Sequence, residues 1–221
     1  MPEFTGGAIG GDLLATVPFG DIVNYITPLT ATLFAVALIF TVFALISRPE
    51  KQLDIVFGTD AFYTKEVSPD ELKFRRFMAV ACGIATMGAM MSGDIFNFTL
   101  FVSLIGITII GIVAAVKNQH VLNAAFQYGI VAMTATVPLF AGAAITLATT
   151  GTLSIWELSA GAGMPLIAKL LLLLGVMGEG IAPFYAAKTE LFRAPGAPYV
   201  ILIHVSSLLM FLRVVEILLA V

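Results

Sequence analysis

Three ionisable side chains, Lys169, Glu179 and His204, stand inside two otherwise apolar stretches of this chain. A charge near the centre of a bilayer costs about 2.5 to 3.5 kcal/mol even on the lenient insertion scale, so such residues line a bundle interior or an ion path. A carboxylate, an imidazole and an ammonium can exchange protons directly or through water. Gly175, Gly178, Gly180 and Pro183 surround the glutamate. That pattern predicts a broken helix, and unwound backbone at membrane depth is tolerated only where protein or water covers it. Glu179 is therefore expected to face the bundle.

Counted inward at 1.5 Å per residue, Glu179 and His204 both fall roughly 10 to 14 Å from one interface, on antiparallel neighbours, a placement suited to a proton-exchanging pair. Lys169 precedes Glu179 by ten residues, about 15 Å along an unbroken helix, which requires water between them. Each residue also has a structural role open to it. Lys169 can snorkel to an interface, Glu179 can bond freed backbone as a neutral carboxyl, and His204 can pack as a neutral ring.

The elements that must position these groups are membrane helices. Of 221 residues, 59% are hydrophobic and 11% charged, with a mean hydropathy of +1.02, too apolar for a soluble domain. About six stretches are long enough to span a bilayer, over 26–47, 74–91, 95–116, 121–149, 164–187 and 198–221. Arg48, Lys51, Lys65, Lys73, Arg75, Arg76, Lys117, Lys188 and Arg193 then share one side, and the opposite connections carry neither Lys nor Arg. By the positive-inside rule the basic loops face the cytoplasm and both termini lie outside a multi-pass chain in the cell membrane. The glycine-rich start, 1–11, reads as a lead-in without a cleaved signal peptide. The lipid bilayer is an expected partner and nucleic acid is not.

Residues 1–25 form an outer segment, 26–47 the first span, 48–73 an inner loop, and 74–221 a five-helix unit. The inner loop holds a stretch, 53–58, that suits a short strand or a contact for a neighbouring protein. It ends in Ser68-Pro69-Asp70-Glu71, a capping box with proline at the first helical position. Thr99, Ser103 and Gly106 make a small, polar stripe on one helix face. Pro138 should bend the fourth span. Arg213 and Glu216, three apart, suit a local ion pair. With Asp94, Ser103 and Gln127 they are supporting polar positions. Cys82, the lone cysteine, reads as a small packing residue.

The segment from Ser92 to Ser103, SGDIFNFTLFVS, resembles the fourth-to-fifth helix region of the antiporter-like subunits shared by respiratory complex I, Mrp antiporters and membrane-bound hydrogenases. Thr150-Gly151-Thr152-Leu153 resembles the turn after that family's sixth helix. Gly180 with Pro183 is similar to its broken seventh helix, and Leu202-Ile203-His204 with the following serines resembles its eighth-helix histidine segment. The resemblance covers 74–221 in family order. It implies an all-α polytopic bundle with one five-helix antiporter-like repeat, containing a broken helix, behind one preceding helix.

In proton-translocating members two inverted repeats occur, and a fifth-helix glutamate pairs with a seventh-helix lysine. This chain has Ser103 at the glutamate's position and Gly178-Glu179 near the lysine's. His204 retains its type, and by spacing Lys169 stands as a displaced lysine. A single-repeat, charge-substituted member resembles the short H subunits of Eha-type energy-converting hydrogenases. The resemblance implies a subunit of a redox-driven complex, not catalytic alone, in which other membrane subunits are partners and H+ or Na+ is moved. It implies no cofactor in this chain, with nickel-iron and iron-sulfur centres in partner subunits. A structural subunit that has lost translocation, and a standalone secondary carrier, are the competing readings.

Overall fold

A computed structural model describes residues 12–19, 22–47, 52–56, 62–161, 163–179, 186–189, 191 and 197–221. The order of elements is β1 (Ala15–Phe19), β2 (Ile22–Ile26), α1 (Pro28–Ile46), β3 (Gln52–Val56), β4 (Phe62–Glu66), α2 (Pro69–Met91), α3 (Ile95–Ala114), α4 (Gln119–Thr150), α5 (Ile155–Ala160), α6 (Leu166–Gly178), α7 (Ala186–Thr189) and α8 (Ala197–Ala220).

The chain is a helical, multi-pass membrane protein. Among the described residues, α1, α3, α4 and the Pro198–Ala220 part of α8 are long and apolar enough to cross a membrane. α2 has the length, 23 residues, but opens on a charged turn, and α6 is apolar but has only 13 residues. Helix starts are encoded locally. Ser68 accepts the amide hydrogen of Glu71, while Glu71 reaches back to the Ser68 amide and its other oxygen accepts from the Lys117 amide at 3.3 Å. The expected capping box is thus present, and it also ties α2 to the α3–α4 turn. Thr27 and Thr30 cap α1 in the same reciprocal way.

α3 lies at the centre. Phe98, Val102, Ile105, Ile109 and Ile112 are fully buried, whereas α1 and α4 present Ile39, Phe43, Phe126, Met133 and Val137 outward. Such apolar outer faces suit lipid or another membrane helix and not water. α1 packs on α2 and α8, α3 on α2 and α4, and α4 on α6. α4 continues through Pro138, whose ring shares a groove with Leu171 and Leu174 of α6.

Two antiparallel hairpins add to the all-α expectation. β1 pairs with β2, Phe19 opposite Ile22, and β3 pairs with β4, Val56 opposite Phe62. The second realises the strand reading of 53–58; the first lies in the segment read only as an outer lead. The first hairpin sits over the α2–α3 turn so closely that a Cβ at Gly93 would be 2.5 Å from the Val23 carbonyl oxygen. At the same end, the Ile95 amide donates to Leu153 and the Ile155 amide to Gly93, both at 3.0 Å. These bonds flank an isolated antiparallel bridge between Asp94 and Ser154.

Candidate functional site

α6 ends at Gly178, and Glu179 is its C-cap residue. Gly180 and Pro183, the rest of the expected break, lie outside the described residues. Gly175 and Gly178 serve close packing. A Cβ at Gly175 would come within 2.3 Å of Leu139 Cγ, and one at Gly178 within 2.4 Å of Ala135 Cβ. Small residues let α4 and α6 approach, which carries Glu179 into the bundle.

The Glu179 side chain is fully buried where α3, α4 and α6 meet. Tyr128 Oη of α4 lies 3.0 Å from Oε2 and 3.3 Å from the main-chain oxygen of Glu179. The carboxylate lies over Gly106 of α3, where a Cβ would be 2.7 Å from Oε2 and 2.9 Å from Oε1. Oε1 has no hydrogen-bond partner among the described residues. A buried polar atom left unmet costs about 1 to 3 kcal/mol, a burden rarely kept in a region that only packs. Glu179 borders a largely apolar cavity of about 250 Å3 shared with Ser103, Gly106, Ala132, Thr136 and Phe140.

On its other side Glu179 meets a lysine that its own sequence neighbourhood did not suggest. Lys188, of the short helix α7, is 1% exposed. Its ammonium donates to the Glu179 carbonyl oxygen at 3.1 Å and to Ser207 Oγ of α8, and stands 5.9 Å from the centre of the Tyr128 ring. Beyond it, Ser206 Oγ is 2.9 Å from Thr86 Oγ1 and 3.8 Å from Cys82 Sγ. Polar groups thus follow one another from the Ser103 cavity through Glu179, Tyr128, Lys188 and Ser207 toward α2. Cys82 is buried beside this row.

The other expected residues are distributed differently. Lys169 is held at the far end of α6, where its ammonium donates to the carbonyls of Leu218, at 3.3 Å, and Val221. These bonds tie α6 to the end of α8 and separate Lys169 from the Glu179 cluster. His204 lies on the exposed side of α8, three residues before the Ser207 that receives Lys188. It therefore does not share the glutamate's buried compartment.

Asp94 is the N-cap of α3, accepting from the Asn97 amide at 2.8 Å. Ser103 donates to the Thr99 carbonyl at 2.9 Å, and Gln127 is on the exposed face of α4. Arg213 and Glu216 do form the expected pair, fully within the protein, and Arg213 also donates to the Ser92 carbonyl at 2.7 Å and lies 5.1 Å from the Tyr25 ring centre.

Among the described residues, two cations assigned to the loop side by residue type are buried. Lys188 is one, and Arg75, 4.5 Å from the centre of the Tyr199 ring, is the other. A charge tally counts residue types and cannot register burial. Lys188 was missed as a site residue for that reason, although its setting in Ala-Ala-Lys beside a break is a usable signal. Tyr128 carries none, because 51 residues separate it from Glu179.

A family model described as NADH dehydrogenase I, subunit N related protein matches residues 5–221. The uncharacterized protein MJ0522 of Methanocaldococcus jannaschii is 51% identical over 215 residues, covering 97% of this chain and 99% of that one. Among solved structures, a chain of respiratory complex I from Thermus thermophilus with bound aureothin is similar with a TM-score of 0.65 and 15% identity, over 90% of this chain. A chain of the membrane-bound sulfane sulfur reductase, an archaeal respiratory membrane complex, is similar with a TM-score of 0.59 and 16% identity, over 93% of this chain. The present chain spans 42% and 40% of those two chains. At such identities the likeness is one of fold.

Proposed function

Because this chain belongs to the NADH dehydrogenase I subunit N-related family, we propose that it is a membrane subunit of a redox-driven, ion-translocating complex of the energy-converting hydrogenase type, and that Glu179 carries its proton or sodium path. The observation behind this reading is the buried Glu179 carboxylate, bonded by Tyr128 on one oxygen, unmet on the other, and adjoined by Lys188. A carboxylate and an ammonium kept together at membrane depth are costly, and their usual use is charge movement. Tyr128, Lys188 and Ser207 extend the path across the bundle, and His204, on the exposed side of α8, stands where protons pass between that path and its surroundings. Lys169 stays outside this path as a tie between α6 and α8. Electron-transfer centres belong to partner subunits.

Glu179→Gln in the assembled complex tests the reading. Redox-driven ion uptake by vesicles should be lost while the subunits still co-purify. Uptake at the unmodified rate would remove Glu179 from the mechanism. A second reading, an assembly subunit without transport, is favoured by Ser103, whose hydroxyl hydrogen is spent within its own helix. It expects Glu179→Gln to be silent, and bulky replacements at Thr99 to prevent assembly.

A further inference from the structure

The end of α1 and the start of α2 form a groove of about 400 Å3, lined by Leu45 of α1 and by Leu72, Lys73, Arg76, Phe77 and Val80 of α2. None of these residues belongs to the Glu179 site. α1 is long and apolar enough to cross a membrane and stops at Ile46. Arg76 Nη2 donates to the carbonyl of the next residue, Ser47, at 3.2 Å, so the guanidinium sits where a membrane span ends. From there α2 runs back along α1, close enough that a Cβ at Gly83 would run into the Thr41 side chain. Val80, four residues past Arg76, is therefore about 6 Å deeper at 1.5 Å per residue. Lys73 is one turn farther out. The groove thus has two cations at its outer end and apolar walls below them, and Leu45 and Phe77 are exposed along it.

The cationic end has hydrogen-bond donors in reserve. A guanidinium carries five N–H groups in a planar fork that matches a phosphate. Ser47 takes one of those of Arg76, and Nε is buried without a hydrogen-bond partner among the described residues. Lys73 pairs with Asp70 at 3.6 Å, but both side chains are largely exposed, and such a pair is worth little against solvent. Glu71, the other acid of this turn, is committed to the Ser68 and Lys117 amides. Arg75 lies buried over the Tyr199 ring and does not join the groove.

We infer that this groove binds an anionic phospholipid, its phosphate held by Arg76 and Lys73 and one acyl chain lying along Leu45, Phe77 and Val80. The basic pair selects a negative headgroup, as basic pockets between membrane helices do. The exposed apolar wall at membrane depth selects a lipid over a free anion. The site is independent of the role given to Glu179.

The test uses Phe77→Trp in a Trp156→Phe background, which moves the chain's single tryptophan into the groove. The full chain is placed in phosphatidylcholine vesicles, and tryptophan quenching is followed as brominated phosphatidylglycerol or brominated phosphatidylcholine is added. A basic side chain near the surface favours an anionic lipid about fivefold. Half-maximal quenching is therefore expected at a mole fraction of phosphatidylglycerol roughly twentyfold below that of phosphatidylcholine. Lys73→Gln should reduce this preference about fivefold, and Lys73→Gln with Arg76→Gln should abolish it. Asp70→Asn, which removes the competing carboxylate, should raise it. Lys73→Gln, on an exposed side chain, keeps the test decisive if Arg76→Gln fails to fold.

Equal quenching by the two lipids, or a preference that survives Lys73→Gln undiminished, overturns the site. Loss of the preference on adding inorganic phosphate, at ionic strength matched with chloride, would assign the basic pair to free anions and overturn the lipid. A tryptophan quenched by neither lipid would show the groove covered by protein and would overturn it as well.

Discussion

Tyr128 Oη stands 3.0 Å from Glu179 Oε2, and this contact joins the middle of α4 to the end of α6 across 51 residues of sequence. The tyrosine is the only hydrogen-bond donor shown to the carboxylate among the described residues. Tyr128→Phe should therefore lower stability by about 1.5 to 3 kcal/mol, the range for bonds to charged groups. Thermal unfolding in detergent checks it. In combination with Glu179→Gln the losses should fall short of additivity, since one contact is removed twice.

The Arg213–Glu216 pair is buried on both sides. Glu216→Leu alone should destabilise the chain by about 3 to 5 kcal/mol, because it strands the guanidinium. Arg213→Met with Glu216→Leu should recover much of that loss. Recovery will be incomplete, as Arg213 also serves the Ser92 carbonyl and the Tyr25 ring. A double-mutant cycle on melting temperatures gives the coupling directly.

Two glycines with the same helical setting should respond oppositely. At Gly175 an added Cβ meets Leu139 Cγ at 2.3 Å and the Ala135 carbonyl oxygen at 2.9 Å, so Gly175→Ala should cost about 1 to 3 kcal/mol as overpacking. At Gly129 the nearest atom is the flexible end of Ile110, at 3.3 Å. There the gain in helix propensity, up to about 1 kcal/mol, should offset the squeeze. Parallel melts of the two variants decide this.

Lys169→Met should free the end of α8. Amide exchange near Leu218 is expected to quicken while redox-driven ion uptake persists. Unchanged exchange with lost uptake would instead return Lys169 to the relay.

Where the chemistry is local, the sequence was a sufficient guide. The α2 capping box, the Arg213–Glu216 spacing and the helix stop at Gly178 each depend on residues within a few positions of one another. Long apolar runs likewise located α1, α3, α4 and α8. The first hairpin has a weaker signature, Gly20-Asp21 between two short apolar runs, a two-residue turn signal that hydropathy does not register. Of the carboxylate's surroundings, only Lys188 left a signal in the sequence. Tyr128 and Lys188 reach Glu179 through tertiary packing, and Gly106 becomes meaningful only once the glutamate lies on it. Sequence spacing had offered Lys169 and His204 instead, because distances along helices say nothing of which side a residue faces.

The paired amides of Ile95 and Ile155, which lock the α2–α3 turn to the α4–α5 turn, have a mechanical corollary. With Arg213 fastening α8 to the same turn through Ser92, one rim of the bundle is riveted. A sliding step of α4 along α3 would shear those bonds, and at the opposite rim the short α3–α4 turn, tied to α2 through Glu71, holds the same two helices, so the pair should move as one body.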